Sequence, residues 1–236
     1  MSLYERVCED IKKKSDNKKN NIIDGIPFPL ERYRPYVPLI EKGIYAGVLG
    51  SSGVGKSTFT RFVYLYSVIS FAIENNYPVK VMYFALEDNK EKIMKKIISH
   101  YLYVHYGVSL SFHDINSRFK PLPPDIVALL EKEKAFFDKL EKILFIIDTV
   151  SSPNGIKIAC DYAKEKGTIT DEDHVVAIID NFDNVTPDKE DDSKWAAINR
   201  LSAVIIRLDF CKMRNFSVLA VLQADLFKVP LHSNVY

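Results

Sequence analysis

The amino-acid sequence predicts an α/β fold, a central parallel β-sheet flanked by helices. Three observations carry that expectation. Five apolar runs, at residues 44–49, 79–85, 143–148, 175–180 and 218–223, are nearly continuous rather than alternating, as in strands buried on both faces of a parallel sheet. Segments of helical periodicity stand between them, which is the order of repeated βαβ units. The first run leads directly into Gly50-Ser51-Ser52-Gly53-Val54-Gly55-Lys56-Ser57, which matches G-x-x-x-x-G-K-[ST] and is followed by a helical segment.

Bulk composition narrows the class. At 236 residues the chain suits one domain with a full core. Hydrophobic residues at 47% and charged residues at 27% are those of an ordinary globular protein. A net charge of +1 provides no global basic field, so any contact with nucleic acid must be local. Cys8, Cys160 and Cys211 form no C-x-x-C or metal-ligand pattern and read as reduced thiols. The first residues contain no signal-peptide core, and the most apolar run, 62–73, is too short to span a bilayer. The expected compartment is the cytoplasm, of a bacterium or of a phage-infected host, without membrane association.

Residues 1–25 read as a separate arm. Leu3, Tyr4, Val7 and Ile11 fall on one helical face, and a polar stretch from Ser15 to Asn21 reads as a flexible linker. The helix either folds onto its own domain or docks on a neighbouring subunit. Residues 26–236 form the expected main domain. Its proline-rich start, 26–38, excludes a central strand or helix and predicts an extended lead-in to the buried first strand. A helix follows the glycine-rich loop, with Phe59, Phe62, Val63, Tyr66, Ile69 and Ile73 at helical spacing. The run at 79–85 is the second strand. A helix over 89–106 follows, with Ile93, Met94, Ile97, Ile98 and Tyr101 on its apolar side. Asp125 is expected to cap a helix reaching Glu141. After the third strand, a helix over 155–166 ends at Gly167. The fourth strand is followed by a helix over 195–215, with Trp195, Ile198, Leu201, Ile205 and Leu208 inward, and then by the fifth strand.

The chemistry-bearing residues lie at the carboxyl ends of these strands, where open α/β sheets bind ligands. Glycines let the loop backbone curl so that its N–H groups converge on an anion, and the helix start adds partial positive charge. Gly50, Ser51, Ser52, Gly53, Val54, Gly55, Lys56, Ser57 and Thr58 are the expected ATP-binding residues, with Lys56 on the β/γ-phosphates and Ser57 on Mg²⁺. Asp180, ending an apolar strand, has the form of a Walker B carboxylate that holds the Mg²⁺ shell. Glu87 sits where a carboxylate can act as general base on the attacking water, and Asp88 competes with it; either can instead cap the next helix. Gln223 is placed to sense the γ-phosphate. Asp148 reads as a cap for the turn at 151–154. His100, His105 and His113 are too loosely spaced for a metal site.

The ordered set Gly50 to Thr58, Phe84-Ala85-Leu86-Glu87, Ile179-Asp180-Asn181-Phe182 and Leu222-Gln223-Ala224 resembles the RecA-like core of replicative DNA helicases of the DnaB type. The run from Leu144 to Asp148 resembles that family's segment before Walker B, and the resemblance spans roughly residues 26 to 225. It implies a RecA-like P-loop NTPase and gives catalytic roles to Lys56, Glu87 and Gln223, with Ser57 and Asp180 on the metal. It also implies a hexameric ring hydrolysing ATP and moving on single-stranded DNA, with the N-terminal helix packed on a neighbour. The Gln223 strand is expected between the Asp180 strand and the phosphate-loop strand.

Some features depart from that pattern. Asp225 follows Gln223, and the first cation beyond it is Lys228. The segment 183–194 carries five acidic and two basic residues, a poor surface for DNA. The family's amino-terminal domain and the region that supplies a trans-acting basic finger are expected to be missing. The acidic segment favours the other reading, a RecA-like regulatory or recombination ATPase that does not unwind DNA, whereas the motif order favours the helicase.

Overall fold

The computed structural model describes residues 1–20 and 25–223. Helix α1 (Leu3–Lys19) opens the chain. The Ser2 hydroxyl accepts from the Glu5 N–H and the Glu5 carboxylate accepts from the Ser2 N–H, a reciprocal cap for two donors left open at a helix start. The linker expected from Ser15 is helical instead through Lys19. Ion pairs Lys14–Asp10 (3.1 Å) and Lys19–Asp16 (3.2 Å), with lysines in the last turn, favour helix over coil there. The rest of the expected linker, residues 21–24, lies outside the described residues. No α1 residue is buried, and Leu3, Tyr4, Val7 and Ile11 are all exposed.

The proline-rich lead-in is a small ribbon rather than a plain extended segment. Strand β1 (Ile26–Pro27) pairs antiparallel with β2 (Leu39–Ile40), and Ile26, Phe28 and Ile40 enter the core.

Five strands then form one parallel sheet: β3 (Tyr45–Gly50), β4 (Val79–Ala85), β5 (Leu144–Ile147), β6 (His174–Asp180) and β7 (Ser217–Gln223). Their spatial order is β3-β7-β6-β4-β5, so the Gln223 strand does lie between the phosphate-loop strand and the Asp180 strand. Two cores result, one on each face. Along β4, Val81, Tyr83 and Ala85 belong to one, and Met82 and Phe84 to the other. This period-two division is why the strands are apolar at every position. Strand β3 departs from the expected buried strand. Among the described residues it is outermost, pairs only with β7, and leaves its side chains exposed or half-buried.

The helix after the phosphate loop runs as α2 (Lys56–Thr60), a π-helical segment (Arg61–Tyr66) and α3 (Ser67–Asn75). The wide turns rotate the buried face away from simple 3.6-residue spacing. Val63, Leu65, Val68, Ile69 and Ala72 are buried, whereas Phe59 and Phe62, expected inward, are exposed. Helix α4 (Lys90–Tyr106) is capped by Asn89, whose side chain accepts from the Lys92 N–H, so neither Glu87 nor Asp88 is the N-cap.

A short helix not expected from the sequence, α5 (Phe112–Ile115), precedes α6 (Pro124–Lys132) and α7 (Lys134–Leu140). The latter pair replaces the single helix expected to reach Glu141, with a break at Glu133. Asp125 lies in the first turn of α6 and Pro123 is at the cap position, so Asp125 is not the cap.

On the other face, α8 (Pro153–Glu165) is capped by Ser152. Then α9 (Lys194–Arg200) continues into a π-helical segment (Leu201–Met213). From Leu201 onward the π turns again shift the inward set. Ala197, Leu201, Ile205, Ile206, Phe210 and Cys211 are buried, while Trp195 and Leu208 are exposed, contrary to the helical-spacing expectation.

Candidate nucleotide site

The glycine-rich loop joins β3 to α2, and two of its turns need glycine. Gly53 and Gly55 adopt φ of 77° and 90°, a region that L side chains rarely enter. At Gly50 the approach is close: a Cβ there would stand 3.0 Å from Val54 Cγ2, so the exposed Val54 side chain would have to give way. Lys56 folds across the loop and its Nζ donates to the Ser51 carbonyl at 2.8 Å. The ammonium is thereby held over the concave backbone that a phosphate would enter.

Beside the loop, the Ser57 hydroxyl donates to Asp180 Oδ1 at 2.9 Å. Asp180 is only 5% exposed, and its second oxygen accepts from the Tyr83 hydroxyl. Burial, and then the Asp180 carboxylate, push the Tyr83 hydroxyl well above its ordinary range, so it remains a donor. Arg61, 6% exposed, brings Nη1 to 3.8 Å from Asp180 Oδ2 and Nη2 to 3.5 Å from Thr58 Oγ1. That Nη1 makes no hydrogen bond, so its relation to Asp180 is one of charge alone. Ser57 and Asp180 present hard oxygen donors from two elements on one spot. This donor set fits Mg²⁺, with water and phosphate oxygens completing the shell.

Sheet register places the carboxylates. Ala85 is level with Asp180, and the Leu86 N–H donates to the Asp180 carbonyl at 2.7 Å, so the chain leaving β4 turns beside the Asp180 strand. Glu87 is exposed at the mouth of a cleft that it shares with Ser57, Tyr83, Asp88 and Asp180. Asp88 is differently committed: one oxygen is paired with Lys92 and the other with Lys96 at 2.5 Å. Burial pushes the Asp88 carboxyl up, but hydrogen bonds from the two lysines outweigh it and hold the group below its ordinary range. Gln223 is level with Gly50 at the loop's start. Its N–H donates to Asp183 Oδ2 at 2.6 Å, its side chain is exposed, and it is not among the residues lining the cleft. Lys228 lies outside the described residues.

Other expectations are corrected here. Asp148 does not cap the turn after β5; Oδ2 accepts from the Lys90 N–H at the start of α4, and Ser152 caps α8 instead. The acidic segment after β6 is folded onto Arg200. That guanidinium donates to Asp191 at 2.8 Å and to Asp188, lies 3.6 Å from Glu190, and reaches Asn154 at 2.9 Å. Three of the five acidic side chains of this segment are therefore paired internally, and Asp183 is taken up by the Gln223 N–H.

The sequence reading missed Arg61, Tyr83, Lys92 and Lys96. A signal existed for two of them: Asp88, Lys92 and Lys96 recur at four-residue intervals, one face of a helix and its entry. Arg61, a charge within an apolar helical run, was a weaker sign.

No protein-family model matches the chain, and no curated protein matches it in sequence. Solved structures do match. A DnaB-like replicative helicase, determined to show its interactions with primase, superposes with a TM-score of 0.63 at 15% identity, over 91% of this chain and 47% of that one. A solved ATPase domain superposes with a TM-score of 0.68 at 18% identity, over 94% of this chain and 71% of that one. The chain spans about half the length of the helicase it matches. Its fold is that of these two structures, a parallel sheet between two helical layers.

Proposed function

We propose that the chain binds ATP with Mg²⁺ and hydrolyses it, as the motor core of a ring-forming DNA helicase that moves on single-stranded DNA. The observation that carries the nucleotide reading is the Ser57 Oγ–Asp180 Oδ1 contact of 2.9 Å, at the foot of the phosphate loop and in the cleft that also holds Glu87. Lys56 exchanges the Ser51 carbonyl for phosphate oxygens when the nucleotide enters. Ser57 and Asp180 would hold Mg²⁺, which would supply charge neutralisation for the phosphates. Glu87 accepts the proton of the attacking water, a role open to it because Asp88 is occupied by two lysines. Gln223, level with Gly50, would sense the γ-phosphate by turning its exposed side chain toward the cleft.

The ring and the DNA track rest on likeness of fold, and on an α1 helix whose apolar side is exposed among the described residues. A second reading, an ATPase that does not unwind DNA, is favoured by the acidic segment closed on Arg200, which presents no cationic surface after β6.

Steady-state ATP hydrolysis tests the first claim. Turnover should require Mg²⁺ and vanish in Lys56→Ala, and turnover unchanged in that variant would remove the phosphate-loop assignment. Unwinding of a forked duplex, with ATP and single-stranded DNA present, separates the two readings.

A further inference from the structure

One wall of the cleft is not accounted for by the roles above. Lys92 and Lys96 line it together with Ser57 and Asp180, and stand one helical turn apart on the same face of α4. Ile93, fully buried between them, fixes that face against the sheet. Their heads are gathered by Asp88, whose side chain is 15% exposed, with one carboxylate oxygen for each lysine. The Lys96 side chain is itself 29% exposed, so the ammonium is held at the cleft rather than spread in solvent.

We propose that Lys92 and Lys96 form a cationic pair, supplied by the same chain as the phosphate loop, that binds the terminal phosphate of a nucleoside triphosphate. This rests on the reading of the cleft as a nucleotide site. The charge balance motivates it. The cleft lining carries three carboxylates, Glu87, Asp88 and Asp180, against these two ammonium groups. A γ-phosphate adds further negative charge at the end of the loop where Glu87 must also stand. Each ammonium has three donors and needs only one for Asp88, so it can bridge Asp88 and a phosphate oxygen without breaking its present bond. Asp88 then serves as the positioning residue: it orients both lysines before the nucleotide arrives, which lowers the ordering cost of binding. The β-phosphate end is served by the loop itself, so the pair distinguishes triphosphate from diphosphate.

The test compares two probes that differ by one phosphoryl group, AMP-PNP and ADP, each titrated with Mg²⁺ by calorimetry. Wild type should bind both, and Lys56→Ala should weaken both. The triple variant Asp88→Asn/Lys92→Gln/Lys96→Gln, which leaves no half-buried carboxylate without a partner, should lose about tenfold or more in affinity for AMP-PNP and stay within about twofold for ADP, as expected for lost charge-assisted bonds to one group. Lys92→Gln alone, at the more exposed of the two positions, should show the same selective loss at smaller size, and it guards against a folding defect in the triple variant. Equal loss for both probes, or none for either, overturns the proposal. ADP binding that is absent in wild type, or indifferent to Lys56→Ala, overturns the phosphate-loop reading and the pair with it.

Discussion

Replacing Arg61 by leucine probes the part of the site that the sequence hid most completely. Two unit charges 3.8 Å apart, the separation of Arg61 Nη1 and Asp180 Oδ2, attract by about 4 kcal/mol at an effective dielectric of ~20. The net value is smaller, because the guanidinium nitrogen makes no hydrogen bond and because Asp180 keeps donors from Ser57 and Tyr83. Removing one partner of a buried pair costs roughly 3–5 kcal/mol where the other charge is left alone; with two donors remaining, about 3 kcal/mol is expected for Arg61→Leu.

Urea unfolding of wild type, Arg61→Leu, Asp180→Asn and the double variant closes a cycle. The coupling should be at least about 2 kcal/mol, since with Asn at 180 the arginine no longer faces a charge. The same cation opposes a divalent ion at Asp180. Arg61→Leu should therefore lower the Mg²⁺ concentration that half-saturates ATP binding, even as it destabilises the fold. A coupling below about 0.5 kcal/mol would refute the charge relation, because independent sites agree to that level.

Glu87→Gln should keep nucleotide binding but lower turnover by about a hundredfold or more, as for a lost general base; the same loss in Asp88→Asn with an active Glu87→Gln would reverse the assignment. Deleting residues 2–20 should leave the melting temperature of a dilute sample nearly unchanged, because α1 buries no residue, while removing higher oligomers seen by light scattering. His174, buried and bonded to Ser217 Oγ at 2.7 Å, is lowered from 6.5 to about 4, chiefly by burial and secondarily by Lys42. The unfolded chain then takes up a proton below about 6.5 that the native state refuses until about 4, so stability is lost as pH falls through that window. Unfolding free energy should drop by about 2 kcal/mol between pH 7 and pH 5, and His174→Gln should flatten that slope.

What was legible in the sequence follows from how local each feature is. The strands announce themselves because both faces of the sheet are covered, so β4 and β6 are apolar at nearly every position. The phosphate loop is legible because its glycines answer to backbone conformations set within eight residues. The inward faces of the two long helices were read wrongly at Phe62 and Leu208, since a π segment changes the period without leaving a compositional mark. The buried reading of β3 failed because apolar content alone does not tell an edge strand from a central one, whereas the resembled strand order together with the early end of the chain does put the phosphate-loop strand at an edge.

The site itself depends on two properties, and only one of them is written locally. Side-chain parity is local. Asp180 shares its face of β6 with Val176 and Ile178, which pack in the core that also holds Val63, Leu65 and Ile93 from the helices around the phosphate loop. Asp180 must therefore emerge on the side where Ser57 and Arg61 stand. Register is not local. Tyr83 is level with Ile178, which makes Asp180 its diagonal neighbour two residues on, a spacing that a tyrosine can cross and a short side chain cannot. Ala85 level with Asp180 then brings Glu87 and Asp88 to the same edge, and Asp88 carries Lys92 and Lys96 with it through one carboxylate. A shift of β4 by one residue against β6 would turn Tyr83 to the opposite face and separate Glu87 from the Ser57–Asp180 pair. The motif letters would be unchanged by that shift and the chemistry lost, which is why the apolar packing of β4 between β5 and β6 belongs to the function as much as the polar residues at its end.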